Sequence, residues 1–283
     1  MKRIDLHIHT TASDGTDLPA EAVEKARDAG LEAIAVTDHD AVAGVPEAVA
    51  AGEALGVEVV PGIEVSSDYR DNNIHILGYF IDPGAPALRT VLDWVHAEGA
   101  ERNRILVDRM AADGIDISLE DLEREYPGAV LGRPHMAEHL MRKGYVSSVR
   151  EGFERYVGEG GKYYLPKRRI SVERAVEIIH AAGGVAVLAH PLQYRYPLDE
   201  VTALIACAKE LGAEAMECFY SGYSAEEEAW LLEKAGEFGL GVTGGSDYHG
   251  SRKTEIRLGV GTGRLNVPYS VLEELKALRA RKR

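Results

Sequence analysis

The sequence is poor in cysteine and has no long apolar run. Cys207 and Cys218 are the only cysteines among 283 residues, which are too few and wrongly spaced for a thiolate metal site. We interpret both as small buried side chains of a protein from a reducing compartment. No segment reaches the roughly 20 apolar residues that a membrane-spanning helix needs, and residues 1–3 lead into a predicted strand without a signal peptide. We therefore expect no membrane partner and a cytoplasmic location.

Positive charge is also scarce, with 32 Lys and Arg against 46 Asp and Glu and a net charge of −14. A broad, non-specific nucleic-acid surface needs a positive field, so we expect no extended surface of that kind. Bound metal ions can still make a local site positive, because they are often the largest charges there. The composition therefore leaves an anionic substrate such as a phosphate ester open, and it gives no information on the oligomeric state.

The first nine residues, M-K-R-I-D-L-H-I-H, alternate between apolar and polar side chains. A period of two indicates a β-strand, and it places His7 and His9 on one face, roughly 7 Å apart. Asp5 lies on the same face one step deeper, where it would support the ligands from behind. Two imidazoles on one face suit a metal ion, although a His-x-His taken alone is more often incidental. The remaining motifs decide between these interpretations.

Apolar runs alternate with helical patterns over most of the chain. After the first strand, six more are predicted, at residues 31–37, 57–65, 73–81, 184–189, 213–219 and 240–244. Strands separated by helices are typical of a parallel α/β barrel, whereas residues 88–168 have the pattern of several helices. We therefore expect an α/β fold with a barrel formed by residues 1–87 and 169–283. A helical insertion, residues 88–168, would lie between the fourth and fifth strands.

Side chains that bind metal ions follow or lie in every predicted strand but the sixth. They are His7, His9, Asp14, His39, Glu64, His75, His190, Asp247 and His249. The carboxyl ends of the strands of a parallel barrel open on one face, where active sites lie, so we expect these nine side chains to meet there. Nine ligands are too many for one tetrahedral ion and suit a cluster of two or three.

One other motif competes for a metal ion. Residues 135–139, H-M-A-E-H, fit the H-x-x-E-H pattern of an inverted zinc-protease helix, and helical spacing places His135 and His139 on one face. Pro134 puts His135 in the first helical turn, however. The two histidines are also far fewer than the nine metal-binding side chains at the strand ends. A protease is therefore the weaker interpretation.

Six short motifs resemble those of the PHP (polymerase and histidinol phosphatase) family. They are D-L-H-I-H-T (5–10), T-D-H-D (37–40), P-G-I-E (61–64), H-I-L-G (75–78), A-H-P (189–191) and G-S-D-Y-H (245–249). The resemblance implies a distorted (β/α)7 PHP barrel that holds three divalent metal ions, most often Mn2+ and otherwise Fe2+ or Zn2+, and that hydrolyses phosphate esters. By the same resemblance, the first ion would be held by His7, His9, Glu64 and Asp247, the second by Glu64, His75 and His190, and the third by Asp14, His39 and His249.

The insertion carries G-R-P-H at residues 132–135, which is similar to the TrpH-type group within that family. The similarity implies action on nucleoside 3′,5′-bisphosphates and on short 5′-phosphorylated RNA, with release of 5′-mononucleotides. Arg133 and His135 would lie at a helix N-terminus, which favours a phosphate, and His135 would protonate the leaving group. Asp247 would take up a proton of the attacking water. Further cations for the substrate are Arg102, Arg104 and Lys162, each of which fits a solvated helix face equally well.

Two other functions stay open at this point. One is a phosphatase of a non-nucleotide such as histidinol phosphate, and the other is a metal-stabilised accessory module without catalysis. Arginines in the insertion favour a substrate with more than one phosphate. The complete set of nine ligand positions favours catalysis over an accessory role.

Overall fold

The computed structural model describes residues 2–70, 72–166 and 168–281. The chain forms two compact units. We call Met1–Val91 with Arg169–Arg283 the barrel unit and Leu92–Arg168 the helical unit. That residues 88–168 form a helical insertion that covers the substrate stays a prediction. In the described part of the chain, no helix combines the length and the apolar character needed to cross a membrane.

The strands and helices alternate in the barrel unit and give way to helices in the helical unit. The strands are β1 Arg3–Ile8, β2 Leu31–Val36, β3 Glu58–Tyr69, β4 Asn72–Tyr79, β5 Ile170–Ser171, β6 Val185–Leu188, β7 Ala215–Tyr220, β8 Gly241–Gly245 and β9 Val267–Pro268. The α-helices are α1 Pro19–Asp28, α2 Val45–Leu55, α3 Pro86–Ala112, α4 Leu119–Glu125, α5 Arg133–Arg142, α6 Val149–Gly152, α7 Val172–Ala181, α8 Leu198–Glu210, α9 Ala225–Phe238 and α10 Tyr269–Ala280. A π-helical turn, Phe153–Val157, continues α6.

The strands form one sheet in the order β8-β7-β6-β4-β3-β2-β1-β9, with β5 beside β3. The sheet nearly closes into a barrel, because Tyr248 forms a parallel bridge with Ile8 and Asp247 N donates to His7 O at 2.8 Å. The two-residue strands β5 and β9 are absent from the sequence prediction. The seven longer strands correspond to the seven predicted ones, and they confirm the α/β barrel.

The expectation that the barrel is entirely parallel is wrong at β4. This strand runs antiparallel to both of its neighbours, β3 and β6. The reason is the connection: β3 ends at Tyr69 and β4 begins at Asn72, and two residues can join antiparallel strands but are far too few for a parallel crossover. Its reversed direction brings the beginning of β4, where His75 lies, to the same end of the barrel as the ends of the parallel strands.

Each unit has an apolar core of its own. In the barrel unit, buried Leu6 and Leu77 pack in one cluster with Leu272 of α10. In the helical unit, buried Leu106 packs in a separate cluster with Met136 of α5. The core of the barrel unit holds the strand ends in place around the polar groups described below.

Gly245 allows β8 to approach β1 closely. A Cβ atom on this glycine would lie 2.3 Å from the Cβ of His7 and 2.4 Å from its backbone nitrogen. Real Cβ atoms do not approach that near, so only glycine fits without moving one of the strands. The close approach carries the residues that follow β8 to the side chains at the end of β1.

Candidate metal centre

The structure brings the nine predicted metal ligands together at one end of the barrel. His7 comes from β1, Glu64 from β3 and His75 from β4. The other six lie in the segments that follow β1, β2, β6 and β8: His9, Asp14, His39, His190, Asp247 and His249. Strand ends in a barrel converge, and this convergence explains why residues so far apart in sequence share one site.

Eight of the nine side chains fall into three overlapping groups whose ligand atoms lie within 4.8 Å of one another. The groups are His7, His9, Glu64 and Asp247; His9, Asp14, His39 and His249; and His39, Glu64 and His75. His190 joins through Glu64, whose Oε1 lies 3.0 Å from His190 Nε2 and 2.8 Å from His75 Nδ1. His9, His39 and Glu64 are therefore each shared between groups, which suits a cluster of ions at short separation.

Glu64 stands at the centre of these groups and is fully buried. Its Oε2 lies 3.0 Å from His39 Nδ1, 3.2 Å from His9 Nε2 and 3.3 Å from His7 Nε2. Its other oxygen contacts His75 and His190. A carboxylate whose two oxygens face different sets of imidazoles can bridge two metal ions.

Several of these buried atoms lack a hydrogen-bond partner among the described residues. They are His7 Nε2, both ring nitrogens of His9, His39 Nδ1 and Glu64 Oε2. A buried polar atom without a partner costs free energy and needs an explanation. These atoms are imidazole nitrogens and a carboxylate oxygen that lie close together. Such nitrogens and oxygens are ligands of manganese, iron and zinc. The residues present therefore fit divalent metal ions.

The pKa shifts of the clustered side chains also indicate a site for positive ions. Burial lowers the pKa of His39, but the Glu64 and Asp14 carboxylates raise it to about 10. Burial raises the pKa of Glu64, but neighbouring imidazoles, His39 first among them, hold it well below its usual range. The carboxylates are therefore ionised and stabilise positive charge, which protonated imidazole supplies in the metal-free protein and metal ions would supply in the loaded one.

Glu217 on β7 is a functional residue that the sequence prediction missed. It is fully buried, and its Oε1 accepts a hydrogen bond from His7 Nδ1 at 3.1 Å while its Oε2 accepts one from His190 N at 2.9 Å. A carboxylate that accepts from one ring nitrogen directs the other towards a metal ion. The available signal was a single acidic residue inside the otherwise apolar strand A-M-E-C-F-Y.

Two further carboxylates accept hydrogen bonds from the loops that carry predicted ligands. Asp38 accepts hydrogen bonds from Thr10 N at 2.7 Å and from Ser13 Oγ at 2.6 Å, and so it fixes the loop that presents Asp14. Asp5 accepts from Ser246 N at 2.8 Å, directly before Asp247. Asp5 thus lies behind the ligands, as the alternation in the first strand predicts.

The backbone is strained at three positions in or beside the cluster. Asp40, His190 and Asp247 have φ angles of 49°, 26° and 56°, in the left-handed region that side chains other than glycine rarely adopt. Such strain persists only where the surroundings enforce it, and it is frequent at functional sites.

Arg104 and Lys162, two of the five predicted substrate-binding residues, lie on the surface of the helical unit. Arg104 forms ion pairs with Glu101 at 2.7 Å and Asp108 at 2.8 Å, and Lys162 forms one with Asp113 at 2.7 Å. Both side chains are more than half exposed. These contacts favour the solvated-face interpretation for both residues, since surface ion pairs of this kind are common.

Arg133 and Arg102 have more specific surroundings within the helical unit. The guanidinium carbon of Arg133 lies 5.9 Å from the ring centre of Phe153 and 5.7 Å from that of Tyr164, which are cation–π distances. Arg102 is buried and donates to Asn103 Oδ1 at 2.9 Å. Arg133 is therefore held by two aromatic rings at the beginning of α5.

His135 is buried near the N-terminus of α5, and its Nδ1 accepts a hydrogen bond from Gly132 N at 3.0 Å. In the neutral ring Nε2 then carries the proton. His139 uses both ring nitrogens inside the same unit, with Glu125 Oε2 at 2.9 Å from Nδ1 and the Asp116 carbonyl at 3.0 Å from Nε2. The H-x-x-E-H segment is thus built as a structural helix, and these contacts argue against the protease interpretation.

Comparison with known proteins identifies the family of this chain. A PHP domain model matches residues 5–238. A 5′-3′ exoribonuclease of Haemophilus influenzae is 35% identical over 248 residues, which are 88% of this chain and 90% of that protein. A 3′,5′-nucleoside bisphosphate phosphatase of Chromobacterium violaceum is 33% identical over 250 residues, 88% of each chain. A phosphoribosyl 1,2-cyclic phosphate 1,2-diphosphodiesterase of Eggerthella lenta is 34% identical over 250 residues, 87% of this chain and 94% of that protein.

A solved structure extends the agreement to the whole fold. A candidate metal-dependent phosphoesterase of Bifidobacterium adolescentis superposes with a TM-score of 0.87 at 30% identity, over 98% of this chain and 96% of that one. The matched family model covers most of the chain, and the three relatives span most of their own lengths. The chain therefore belongs to the PHP family, and it is a phosphoric ester hydrolase with the fold of the metal-dependent phosphoesterases.

Proposed function

We propose that this protein hydrolyses the 3′-phosphate ester of nucleoside 3′,5′-bisphosphates and leaves the 5′-mononucleotide. Short 5′-phosphorylated RNA would be a second substrate of the same site. The observation that carries the proposal is the cluster of nine ligands with its unpartnered buried atoms. Nucleotide substrates are supported by the exoribonuclease and the bisphosphate phosphatase, which are similar to this chain over most of their own length.

We propose that the site holds three divalent ions, with manganese as the resident metal. Their ligands would be the nine clustered side chains, with Glu64 bridging. When bound, such ions supply a Lewis acid for a phosphoryl oxygen and lower the pKa of water at the site. The Glu217 carboxylate fixes the tautomer of His7, so that its Nε2 lone pair is available on the cluster side.

The proton transfers are assigned to two side chains. Asp247 lies among the ligands with its Oδ1 on the cluster side, 3.1 Å from His9 Nε2, where it would accept a proton from the attacking water. The neutral ring of His135 carries its proton on Nε2 and can donate a hydrogen bond to a leaving oxygen, whereas protonation of that oxygen requires the doubly protonated ring. Both assignments stay predictions, as does the binding of substrate phosphates by Arg133 and Arg102.

A second candidate substrate follows from the Eggerthella relative, whose 34% identity to this chain lies between the 35% of the exoribonuclease and the 33% of the bisphosphate phosphatase. Its name describes cleavage of a cyclic phosphodiester of a phosphorylated sugar. The same metal-ligand cluster would serve that reaction, because it too is attack of water on a phosphate ester. A histidinol phosphate phosphatase is supported by none of the three relatives named above.

The test measures the hydrolysis of a panel of substrates by manganese-loaded protein and by the same protein in the presence of a chelator. The panel contains adenosine 3′,5′-bisphosphate, a 5′-phosphorylated RNA trinucleotide, phosphoribosyl 1,2-cyclic phosphate and histidinol phosphate. We expect adenosine 3′,5′-bisphosphate to yield phosphate and 5′-AMP, with the reaction abolished by the chelator. Release of 3′-AMP, or turnover of the cyclic phosphate or histidinol phosphate alone, would reject the proposal in favour of another ester. The cytoplasmic location of this reaction stays a prediction.

A further inference from the structure

Asp247 uses its two carboxylate oxygens differently. Oδ1 lies 3.1 Å from His9 Nε2 and 3.6 Å from His7 Nε2, on the side of the metal ligands. Oδ2 accepts two hydrogen bonds, one from the Tyr220 hydroxyl and one from the Lys253 ammonium, each at 2.7 Å. Both donors therefore hold the oxygen that the metal ligands do not contact.

The two donors come from different elements of the barrel unit. Tyr220 is the last residue of β7 and is buried. Lys253 ends a short 3-10 turn, Gly250–Lys253, and its side chain is 34% exposed. Neither residue belongs to the nine predicted ligands, and neither was singled out from the sequence. Both donate to Oδ2 of Asp247.

A carboxylate without such donors could rotate about its last side-chain bond and offer both oxygens to one ion. Two donors on Oδ2 resist that rotation, because turning the group would leave an ammonium without its carboxylate partner and a buried hydroxyl without an acceptor.

We propose that Lys253, together with Tyr220, is a positioning residue that orients Asp247 so that Oδ1 faces the other metal ligands. The inference rests on the proposed metal-dependent function. Its effect is nevertheless on metal binding, which can be measured without any substrate. Lys253 would act on the reaction through Asp247 and would not touch the reacting phosphate.

The experiment compares Mn2+ affinity and bound manganese per chain in wild type, Lys253→Met, Tyr220→Phe and the double variant. Partners that orient a ligand typically contribute about 10- to 100-fold in metal affinity, so each single variant should bind manganese roughly 10-fold more weakly. The double variant should deviate from the product of the two single effects, because the two donors hold the same oxygen. Lys253→Arg should restore most of the affinity.

The matched control is Lys276→Met. Lys276 also forms a lysine–carboxylate pair, with Glu58 Oε1 at 2.6 Å, but Glu58 is not among the clustered ligands. This variant should bind manganese as wild type does. Unfolding curves show which variants fold, and Tyr220→Phe, which removes a single oxygen atom, carries the test should Lys253→Met fail to fold.

Unchanged manganese affinity in folded Lys253→Met and Tyr220→Phe would overturn the proposal. A rise in KM without a change in metal affinity would overturn it as well, because Lys253 would then bind substrate directly. Weakened metal binding in a protein that hydrolyses none of the panel would uphold the positioning role and reject the proposed substrate. The two proposals can therefore fail separately.

Discussion

His75 is the ligand whose removal tests the cluster most clearly at the residue scale. Its Nδ1 lies 2.8 Å from Glu64 Oε1, and its Nε2 lies 2.7 Å from Asn73 Nδ2. We expect His75→Ala to lower kcat/KM by at least about 100-fold, since even partners that only orient ligands cost 10- to 100-fold. His96→Ala, a histidine of the helical unit outside the cluster, is the control. Wild-type turnover in folded His75→Ala protein would remove His75 from the site.

Arg133 provides the second test at this scale. Because the guanidinium is held by two aromatic rings and can bind a phosphate through two hydrogen bonds, we expect Arg133→Ala to weaken substrates with a second phosphate by about 10- to 100-fold, the equivalent of one charge-assisted contact. A single-phosphate model ester should be hydrolysed almost as before. Arg104→Ala, which removes only surface ion pairs, should change neither. An equal loss for both esters in Arg133→Ala would reject the selectivity role.

Eight of the nine predicted ligands lie in short motifs at a strand end or in a strand, and the ninth, Asp14, lies in the loop after the first strand. Glu217 and Lys253 could not be predicted in this way. Glu217 contacts His7, 210 positions away, and an acidic residue inside an apolar strand does not indicate which distant side chain it will contact. Lys253 follows the last motif closely, yet its function depends on which oxygen of Asp247 it contacts. Contacts of that kind exist only in the folded chain.

At the scale of elements, Gly245 sets the distance between β8 and β1. We expect Gly245→Ala to lower the free energy of unfolding by about 3 kcal/mol or more, because the added methyl group would overlap backbone as well as side chain of His7. Manganese affinity should fall with it, since Asp247 and His249 follow β8. Urea unfolding and manganese titration measure the two effects.

Gly236→Ala is the matched control for this substitution. Gly236 lies in α9, and a Cβ there would meet nothing within 4 Å. The same chemical change should stabilise the protein by about 0.5 to 1 kcal/mol through helix propensity and leave manganese binding unchanged. If both variants behave alike, close packing of β8 on β1 does not hold the ligands in place.

The direction of β4 is the part of the fold that the sequence pattern did not predict. Period and apolar content identify strands, but they are the same for a parallel and an antiparallel neighbour. The deciding feature is the length of the connection from β3 to β4: the predicted strand bounds, 65 and 73, leave seven residues between them, and the observed bounds leave two. Both lengths are too short for a parallel crossover, so the connection, and not the strand pattern, carried the information on direction. His75 still reaches the cluster because the reversal carries it there.

For the whole molecule, metal binding should be coupled to proton release. Below its pKa of about 10 the metal-free protein holds a proton on His39, and that proton must leave before His39 can bind an ion. Manganese should therefore bind more tightly as the pH rises from 7 towards 10, because protons compete for the same nitrogen. Calorimetry in two buffers of different ionisation enthalpy measures the protons released. Equal enthalpies of manganese binding in both buffers, together with an affinity independent of pH, would contradict this coupling.

We have proposed that nine side chains at one end of the barrel hold a cluster of divalent ions. The most direct measurement is anomalous diffraction from crystals of the manganese-loaded protein, collected on both sides of the manganese absorption edge. We predict three anomalous peaks among His7, His9, Asp14, His39, Glu64, His75, His190, Asp247 and His249, with Glu64 between two of them. No peak among these side chains, or a peak on His135 instead, would contradict the account.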